Sequence, residues 1–326
     1  MSDMTVAGGR LTRRGSPGTA AGTGVRSADS RRVLQLVLAG IWLLDGLLQF
    51  QPFMFTKAFG QMLAATAPGN PGVIARPITW DASLIEQHDV ALNAIFATTQ
   101  LLIGLAIAFR PTVKIGLGAS IAWSLAVWWL GEGLGGVLNG TASPLNGAPG
   151  AVILYALLAV LLWPADRQGD APFIAARAVG TRVARALWLV LWLSLAWFTL
   201  LPANRAPQAL HDMIAGMESG QPGWLIAIDQ KAAALVAHQG LAASIMLAVA
   251  LVIVAAGVFL PRPAARATLV LALVVVAVIW VVGESLGGIP AGGATDPNSG
   301  PLLALLAAAY WPMTAVGTGE ERNVAR

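Results

Sequence analysis

The chain has 326 residues, of which 56% are hydrophobic and only 11% are charged, and its mean hydropathy is +0.70. Soluble domains carry about 25% charged residues, so this composition excludes an ordinary soluble protein and indicates an integral membrane protein. The sequence contains no cysteine, which excludes thiol catalysis, disulfides and thiolate-bound metal clusters within it. Its basic residues are placed as membrane topology requires, so no nucleic-acid partner is expected despite the high pI.

Residues 1–32 are polar, rich in Gly, Ser, Thr and Arg, and show no apolar periodicity, so they are predicted to form a disordered basic cytoplasmic tail. Eight apolar segments follow, and most of them approach the roughly 20 residues that span a bilayer as a helix, while the fourth and eighth are shorter. Strand-like alternation is lacking, so the predicted fold class is an all-α integral membrane protein. The predicted transmembrane helices are 33–51, 88–109, 115–133, 149–163, 184–202, 237–260, 266–284 and 300–313.

Two connections between these helices, 52–87 and 203–236, are long. Each begins with apolar residues at helical spacing, which predicts a short amphipathic helix lying on the outer membrane surface. These apolar residues are Phe55, Phe59, Met62 and Leu63 in the first connection, and Leu210, Met213, Ile214 and Met217 in the second.

The distribution of Lys and Arg predicts the orientation of the chain in the membrane. If the amino terminus is inside, only Lys57, Arg76, Arg205 and Lys231 of the 20 basic residues fall outside. Because cytoplasmic loops carry an excess of Lys and Arg, this bias predicts that both termini are cytoplasmic. A composition rich in Ala, Gly and Arg indicates a bacterial protein, so the predicted location is the bacterial plasma membrane.

The second half of the sequence repeats landmarks of the first at offsets of 148–152 residues. Each copy holds four predicted helices, an even number, so the two copies are expected to be parallel repeats. The predicted organisation is the tail 1–32, a first four-helix repeat at 33–166, a cytoplasmic linker at 167–183, a second four-helix repeat at 184–314 and a cytoplasmic tail at 315–326.

A glutamate flanked by glycines ends the third predicted helix of each copy, in Gly-Glu-Gly-Leu-Gly-Gly at 131–136 and Gly-Glu-Ser-Leu-Gly-Gly at 283–288. Glu132 is preceded four residues earlier by Trp128, and Glu284 by Trp280. A carboxylate at a helix C-terminus opposes the helix dipole, so stabilisation of that helix explains it poorly. Two interpretations stay open: a carboxylate that handles a ligand or a proton, and an interfacial glutamate hydrogen-bonded to the following loop.

One histidine opens the second predicted helix of each copy, His88 in the first and His238 in the second. Imidazole can bind a metal or haem or transfer a proton, but a single histidine without a partner at metal-ligand spacing is also typical of a polar residue that starts a helix. If a metal binds, His88 and Glu132 are the candidate ligands. The first copy is richer in polar groups, since Asp45 and Asn93 face apolar residues in the second. The candidate ligand-binding residues are therefore Asp45, His88, Asp89, Asn93, Trp128 and Glu132, with His238, Trp280 and Glu284 as second-copy counterparts.

Two segments resemble a known family. The second predicted helix reads Asn93-Ala-Ile-Phe-Ala-Thr-Thr-Gln-Leu-Leu-Ile-Gly104-Leu-Ala-Ile-Ala-Phe-Arg110-Pro-Thr, and the first contains Leu36-Val-Leu-Ala-Gly-Ile-Trp-Leu-Leu-Asp-Gly46. Both are similar to the DoxX-like four-helix bacterial membrane proteins, which include the DoxD subunit of thiosulfate:quinone oxidoreductase. The resemblance implies a tandem duplication of such a unit and a plasma-membrane protein linked to redox or quinone processes, often as an accessory subunit.

No phosphate loop, nucleophile elbow or metalloprotease motif occurs, so no self-contained enzyme is expected. The first hypothesis is an accessory subunit of a membrane redox complex, with a site near the outer face for a quinone, a lipid or a metal ion. The second is a small proton- or ion-coupled transporter, and the third is a structural membrane scaffold. In all three the lipid bilayer is the surrounding partner.

Overall fold

A computed structural model describes residues 29–168 and 171–313, and these residues contain helices and no strands. The helices are α1 Ser30–Leu48, α2 Lys57–Ala64, α3 Gly72–Gln87, α4 Asp89–Ala108, α5 Val113–Leu130, α6 Ala151–Leu161, α7 Ile174–Val179, α8 Thr181–Thr199, α9 Pro202–Arg205, α10 Ala209–Ala215, α11 Gly223–Val236, α12 Gly240–Gly257, α13 Arg262–Val278 and α14 Ser299–Ala309. The predicted all-helical class is therefore confirmed for the described part of the chain.

Each predicted transmembrane segment contains a helix: α1, α4, α5 and α6 in the first half, and α8, α12, α13 and α14 in the second. Within the described residues, five helical segments are long and apolar enough to cross a membrane, namely Asp89–Ala108, Arg110–Leu130, Thr181–Thr199, Gly240–Gly257 and Arg262–Gly283. Helices α6 and α14 are apolar but shorter. The protein is thus an all-helical protein with several apolar helices suited to a membrane.

The first helix begins at Ser30, three residues before the predicted boundary. Asp29 acts as its N-cap, because the carboxylate accepts a hydrogen bond from the backbone N–H of Arg31 at 3.2 Å. Such a cap satisfies one of the N–H groups that a helix start leaves without a partner. Residues 1–28 of the predicted amino-terminal tail and the predicted carboxy-terminal tail 315–326 lie outside the described residues.

The two long connections are more helical than predicted, since each contains a second, longer helix, α3 in one and α11 in the other. In the first connection, Met54, Phe59 and Ile85 are buried together in a small apolar cluster of their own. This burial pairs α2 with α3 and stabilises both, which the pattern of a single short surface helix did not anticipate. The predicted linker 167–183 likewise contains α7, whose Ile174 and Ala175 are buried.

The centre of the molecule is formed by the two short apolar helices, α6 and α14, which pack against each other. Most of their residues are buried, as expected for helices that are hydrophobic on every side. Large aromatic side chains surround them: Trp42 of α1 lies 4.4 Å from Tyr155 of α6, and Trp188 of α8 lies 4.5 Å from Tyr310, between ring centroids. The starts of α6 and α14 and the ends of α1, α5 and α13 meet at one end of the bundle, where the candidate site lies.

Candidate functional site

A cavity of about 650 Å³ opens at this end of the bundle, within the first half of the chain. Its walls come from α1, α2, α3, α4 and α5, from the segment 131–152 that enters α6, and from the segment 287–298 that precedes α14. The second half of the chain therefore closes a cavity whose other walls belong to the first half. The volume lies in the range of sites that bind small molecules, about 300–1,000 Å³.

Four carboxyl groups line this cavity: Asp45 from α1, Asp81 from α3, Glu132 after α5 and Asp296 before α14. Among the described residues that line it there is no Lys, Arg or His. Asp45 is 2% exposed, so its carboxyl group is removed from bulk solvent. Asp81, Glu132 and Asp296 are partly buried. Carboxyl groups that lie together without a cation are costly to ionise, because burial and mutual repulsion both disfavour their charged forms.

Several polar atoms of the cavity wall have no hydrogen-bond partner among the described residues. They are Asp45 Oδ1, Gln49 Oε1, Gln100 Oε1 and Glu132 Oε2. The amide oxygens and an ionised carboxylate accept hydrogen bonds, whereas a protonated carboxyl group also donates one. Both glutamines line the cavity, and with 2% and 9% of their surface exposed they are shielded from open solvent. Buried polar groups are nearly always paired in folded proteins, so these atoms indicate a place where water or a bound ligand pairs with them.

Part of the cavity wall is aromatic and apolar. Phe59 of α2 lies 6.5 Å from Phe96 of α4, and Phe96 lies 5.7 Å from Trp123 of α5, with edge-to-face geometry in both pairs. Trp42 adds a further ring, and its Nε1–H donates to Ser120 Oγ at 3.0 Å, which fixes its orientation. The cavity thus combines an acidic side with an aromatic side.

Glu132 links the end of α5 to the start of α6. Its Oε1 accepts a hydrogen bond from the backbone N–H of Val152 at 3.2 Å, in the first turn of α6. One turn earlier, Trp128 Nε1–H donates to the carbonyl oxygen of Pro149 at 2.6 Å. A Cβ atom at Gly150 would lie 2.1 Å from Glu132 Oε2, so glycine there lets the carboxylate approach the helix start.

The second glutamate makes corresponding contacts at the start of α14. Glu284 Oε2 accepts from the backbone N–H of Gly300 at 3.2 Å, and its Oε1 accepts from the hydroxyl of Ser299. Trp280 Nε1–H donates to the carbonyl oxygen of Pro297 at 2.8 Å. Unlike Glu132, Glu284 is fully buried and has both oxygens paired.

The glycine-rich turns after both glutamates have left-handed backbone conformations. Leu134 and Gly135 have φ of +59° and +61°, and the equivalent Leu286 and Gly287 have +57° and +71°. These turns reverse the chain so that the glutamate faces the next helix. Gly135 is required for contact as well as conformation, because a Cβ there would lie 2.1 Å from the carbonyl oxygen of Pro149.

The surroundings of these glutamates, which follow the apolar helical segments Arg110–Leu130 and Arg262–Gly283, favour their neutral forms. Burial, followed by the negative charge of Asp296, raises the pKa of Glu132 to about 8, although the backbone N–H of Val152 acts in the opposite direction. Burial likewise raises the pKa of Glu284 to about 8, against the hydrogen bond from Ser299. Burial also raises the pKa of Asp296. Glu132, which lines the cavity, is therefore expected to exchange its proton near neutral pH.

The structure brings Asp45 and Glu132 to the same cavity, and Trp128 lies behind Glu132 against the segment that enters α6. The other candidate residues of the first copy do not line it. His88 is exposed at the junction of α3 and α4, and Asp89 accepts from the neighbouring backbone N–H of Val90. Asn93 is buried and donates to the carbonyl oxygen of Gln49 at 2.8 Å, so it supports the cavity wall from behind.

The described residues contain no group of three His, Asp or Glu side chains placed to hold a metal ion. The described fold therefore adds no third ligand to His88 and Glu132, the two residues proposed as metal ligands. In the second half, the ring of His238 is exposed and lies 3.1 Å from the side-chain amide nitrogen of Gln208. That contact is local to the connection before α12.

Two cavity carboxylates, Asp81 and Asp296, were missed from sequence. Asp296 lies in Thr-Asp-Pro-Asn, where its Oδ1 accepts from the backbone N–H of Asn298 at 2.7 Å, as in an ordinary turn. Nothing in this local pattern indicates that the turn reaches a cavity of the other half. Asp81 lies on α3, in a segment that was predicted to be a loop. Its position one helical turn before Ile85 became informative only once α3 was known.

No family model matches the sequence, and no curated protein or solved structure matches it. The cavity and the residues around it are therefore the basis for inferring a function.

Proposed function

We propose that the protein is a bacterial plasma-membrane protein that binds a small molecule in this cavity, on the extracytoplasmic side. The observation that carries the proposal is the cavity itself, which joins unpaired buried acceptors to an aromatic wall within about 650 Å³. A largely apolar pocket with a few convergent polar groups is the usual form of a ligand site. Ionisable groups buried among membrane helices are also expensive, and they generally mark function.

The orientation and the duplication belong to the same proposal. The excess of Lys and Arg in the loops assigned to the cytoplasm supports an outward-facing cavity. Two parallel four-helix repeats, giving eight spans, are supported by the matching contacts of Glu132 and Glu284 and of Trp128 and Trp280. In this arrangement the first repeat carries the binding site, and the second contributes the segment that closes it.

The broader role that we propose is that of an accessory subunit of a membrane redox complex, as the resemblance to DoxX-like proteins implies. Support comes from the short sequence segments around Leu36–Gly46 and Asn93–Thr112. The binding proposal does not depend on this role, because it stands on the cavity alone. Co-purification of a redox partner with the tagged protein from native membranes tests the role separately.

Blocking the cavity tests the binding proposal. Ala126 of α5 lines the cavity, whereas Ala122, one turn earlier on the same helix, is exposed and outside it. Ala126→Trp is expected to remove a co-purified small molecule that native mass spectrometry detects on wild-type protein in nanodiscs, and Ala122→Trp is expected to retain it. Absence of any bound molecule on the wild type, or equal occupancy of both variants, would refute the proposal.

A transporter is the second candidate, and the depth of the cavity favours it. Gln100 lies about 16 Å along α4 from its first residue at a rise of about 1.5 Å per residue, so the cavity reaches the middle of that helix. Beyond Gln100 the side chains that α4 turns inward, Ile103 and Ile107, are apolar and buried, so the polar cavity does not continue in that direction. This is the form of a carrier open to one side. Flux into proteoliposomes that is lost in Asp45→Asn would support transport over static binding.

A further inference from the structure

We propose that the ligand of this cavity is an organic cation, an ammonium group attached to an apolar or aromatic body. The inference rests on the proposed function, since it names the chemical class of the molecule that the cavity binds. Three independent properties of the cavity lead to it: its charge, its unpaired hydrogen-bonding atoms and its aromatic wall.

The ionisable groups of the cavity wall are all acidic within the described residues. Asp45, Asp81, Glu132 and Asp296 line it, and no Lys, Arg or His does so. Asp296 is also close enough to Glu132 for its negative charge to disfavour ionisation of that glutamate. A cation bound among these groups would relieve their repulsion and replace the counter-charge that the chain does not provide. An anionic ligand would add to the repulsion.

The unpaired atoms of the cavity wall require donors. Gln49 Oε1 and Gln100 Oε1 are acceptors, and Asp45 Oδ1 and Glu132 Oε2 are acceptors once their carboxyl groups give up the proton to admit a cation. An ammonium group carries up to three N–H donors and no acceptor, so it complements this set. A quinone, which the family resemblance implies, presents carbonyl oxygens that accept hydrogen bonds. The cavity could pair with these only through the amide groups of glutamines or through a carboxyl group that keeps its proton.

The aromatic wall fits the remainder of such a ligand. Phe59, Phe96 and Trp123 form a continuous row of rings, and Trp42 stands beside Asp45, three residues away on α1. Cations bind favourably over aromatic faces, with the largest effect at tryptophan, and the rings also bury apolar surface. An amphiphilic amine would place its charge at Asp45 and Glu132 and its body against these rings.

The charge on the ligand can be tested with three probes that share one indole-ethyl body. Tryptamine is cationic, tryptophol is neutral and indole-3-propionate is anionic at neutral pH. Isothermal titration of the full-length protein in nanodiscs is expected to give tryptamine an affinity at least tenfold higher than tryptophol, and no measurable binding of indole-3-propionate. Asp45→Asn is expected to weaken tryptamine binding at least tenfold and to leave tryptophol binding unchanged.

Controls separate this inference from the proposed function. Asp89→Asn removes a carboxylate that does not line the cavity and should leave all three affinities unchanged. Tryptophol binding reports that the Asp45→Asn variant is folded, and Glu132→Gln provides a second variant that keeps the acceptor for Val152. If tryptamine and tryptophol bind with equal affinity and Ala126→Trp abolishes the binding of both, the proposal of a cationic ligand is refuted, while the cavity remains a binding site. Failure of all three probes to bind would overturn the inference, and the mass-spectrometric test would then decide the proposed function by itself.

Discussion

The carboxylate of Glu132 accepts a hydrogen bond from the backbone N–H of Val152 and thereby caps α6 from the end of α5. A negative charge or an acceptor at a helix N-terminus is favourable, because the first N–H groups of the helix lack intrahelical partners. From the sequence, helix stabilisation is a poor explanation of this glutamate, because a carboxylate opposes the dipole of the helix that it ends. The helix that benefits is the next one, and Glu284 has the same relation to α14.

Removal of the cap is therefore expected to destabilise the protein. Glu132→Ala should lower the free energy of unfolding by about 1–2 kcal/mol, as loss of an N-cap does, whereas Glu132→Gln should cost less because the amide oxygen still accepts from Val152. Unfolding of the detergent-solubilised protein in increasing denaturant measures both. The pair Glu284→Ala and Glu284→Gln should show the same order. Equal stability of the alanine and glutamine variants at either site would contradict a capping role.

The tryptophan before each glutamate should be similarly sensitive. Trp128→Phe keeps an aromatic side chain but removes the indole N–H, so the carbonyl oxygen of Pro149 loses its donor. We expect a loss of about 1–3 kcal/mol in unfolding free energy. Trp129→Phe is the matched control. Trp129 is the next residue and is 41% exposed, so its replacement should change stability by less than about 0.5 kcal/mol. Similar losses in both variants would show that ring size, and not the hydrogen bond, matters.

The turn after Glu132 allows conformation and contact to be separated. Gly135 and Gly140 both have positive φ, but a Cβ at Gly135 would collide with Pro149, whereas one at Gly140 meets nothing within 4 Å. Gly140→Ala should therefore cost only the left-handed conformation, about 1–2 kcal/mol. Gly135→Ala should cost more, since the turn must also move away from the start of α6. Thermal unfolding midpoints of the two variants provide the comparison, and a milder effect at Gly135 would contradict the observed packing.

The parts of this protein that sequence predicts well are those that one short segment determines. Apolar runs located a helix in each of the eight predicted segments, since a backbone in lipid has few alternatives to a helix. Helices α3 and α11, which are longer than α6 and α14, were not predicted. The cavity depends instead on segments that are far apart in the chain. Asp45 was identified because a carboxylate in an apolar helix is conspicuous, while Asp296 looked like a turn residue and acquires its position only from the packing of α14 against α6.

The residues that cap α6 are predictable from sequence, but their partners are not. Trp128 and Glu132 stand out as a repeated pair, whereas their partners are backbone groups about 20 residues further along the chain. Any residue type can supply a backbone hydrogen-bonding group, so the residue type of the partner does not reveal the contact. His88 shows the reverse case, since its residue type suggested a ligand and the fold leaves it exposed outside the cavity.

The raised pKa of Glu132, about 8, predicts opposite effects of pH on stability and on ligand binding. A carboxyl group whose pKa is higher in the folded state than in the unfolded chain holds its proton longer when folded. Its contribution to stability is complete at low pH and is lost as pH rises through the folded-state value. The unliganded protein should therefore become less stable between about pH 5 and pH 8.5. Glu132→Gln and Glu284→Gln together should flatten this dependence, because the pKa of Glu284 is raised to about 8 as well.

Tryptamine binding should show the reverse trend and strengthen several-fold over the same range of pH, because the carboxylate form of Glu132 attracts the cation. The groups that face Glu132 are acidic or neutral: Asp45 on α1, Asp296 before α14 and Tyr155 on α6. No cationic side chain of the cavity wall in the described residues opposes the trend. Titrations in nanodiscs at fixed ionic strength measure it, and Glu132→Gln should reduce the slope. Tryptamine affinity that is constant or falls with pH in the wild-type protein would show that Glu132 does not exchange its proton for the bound cation.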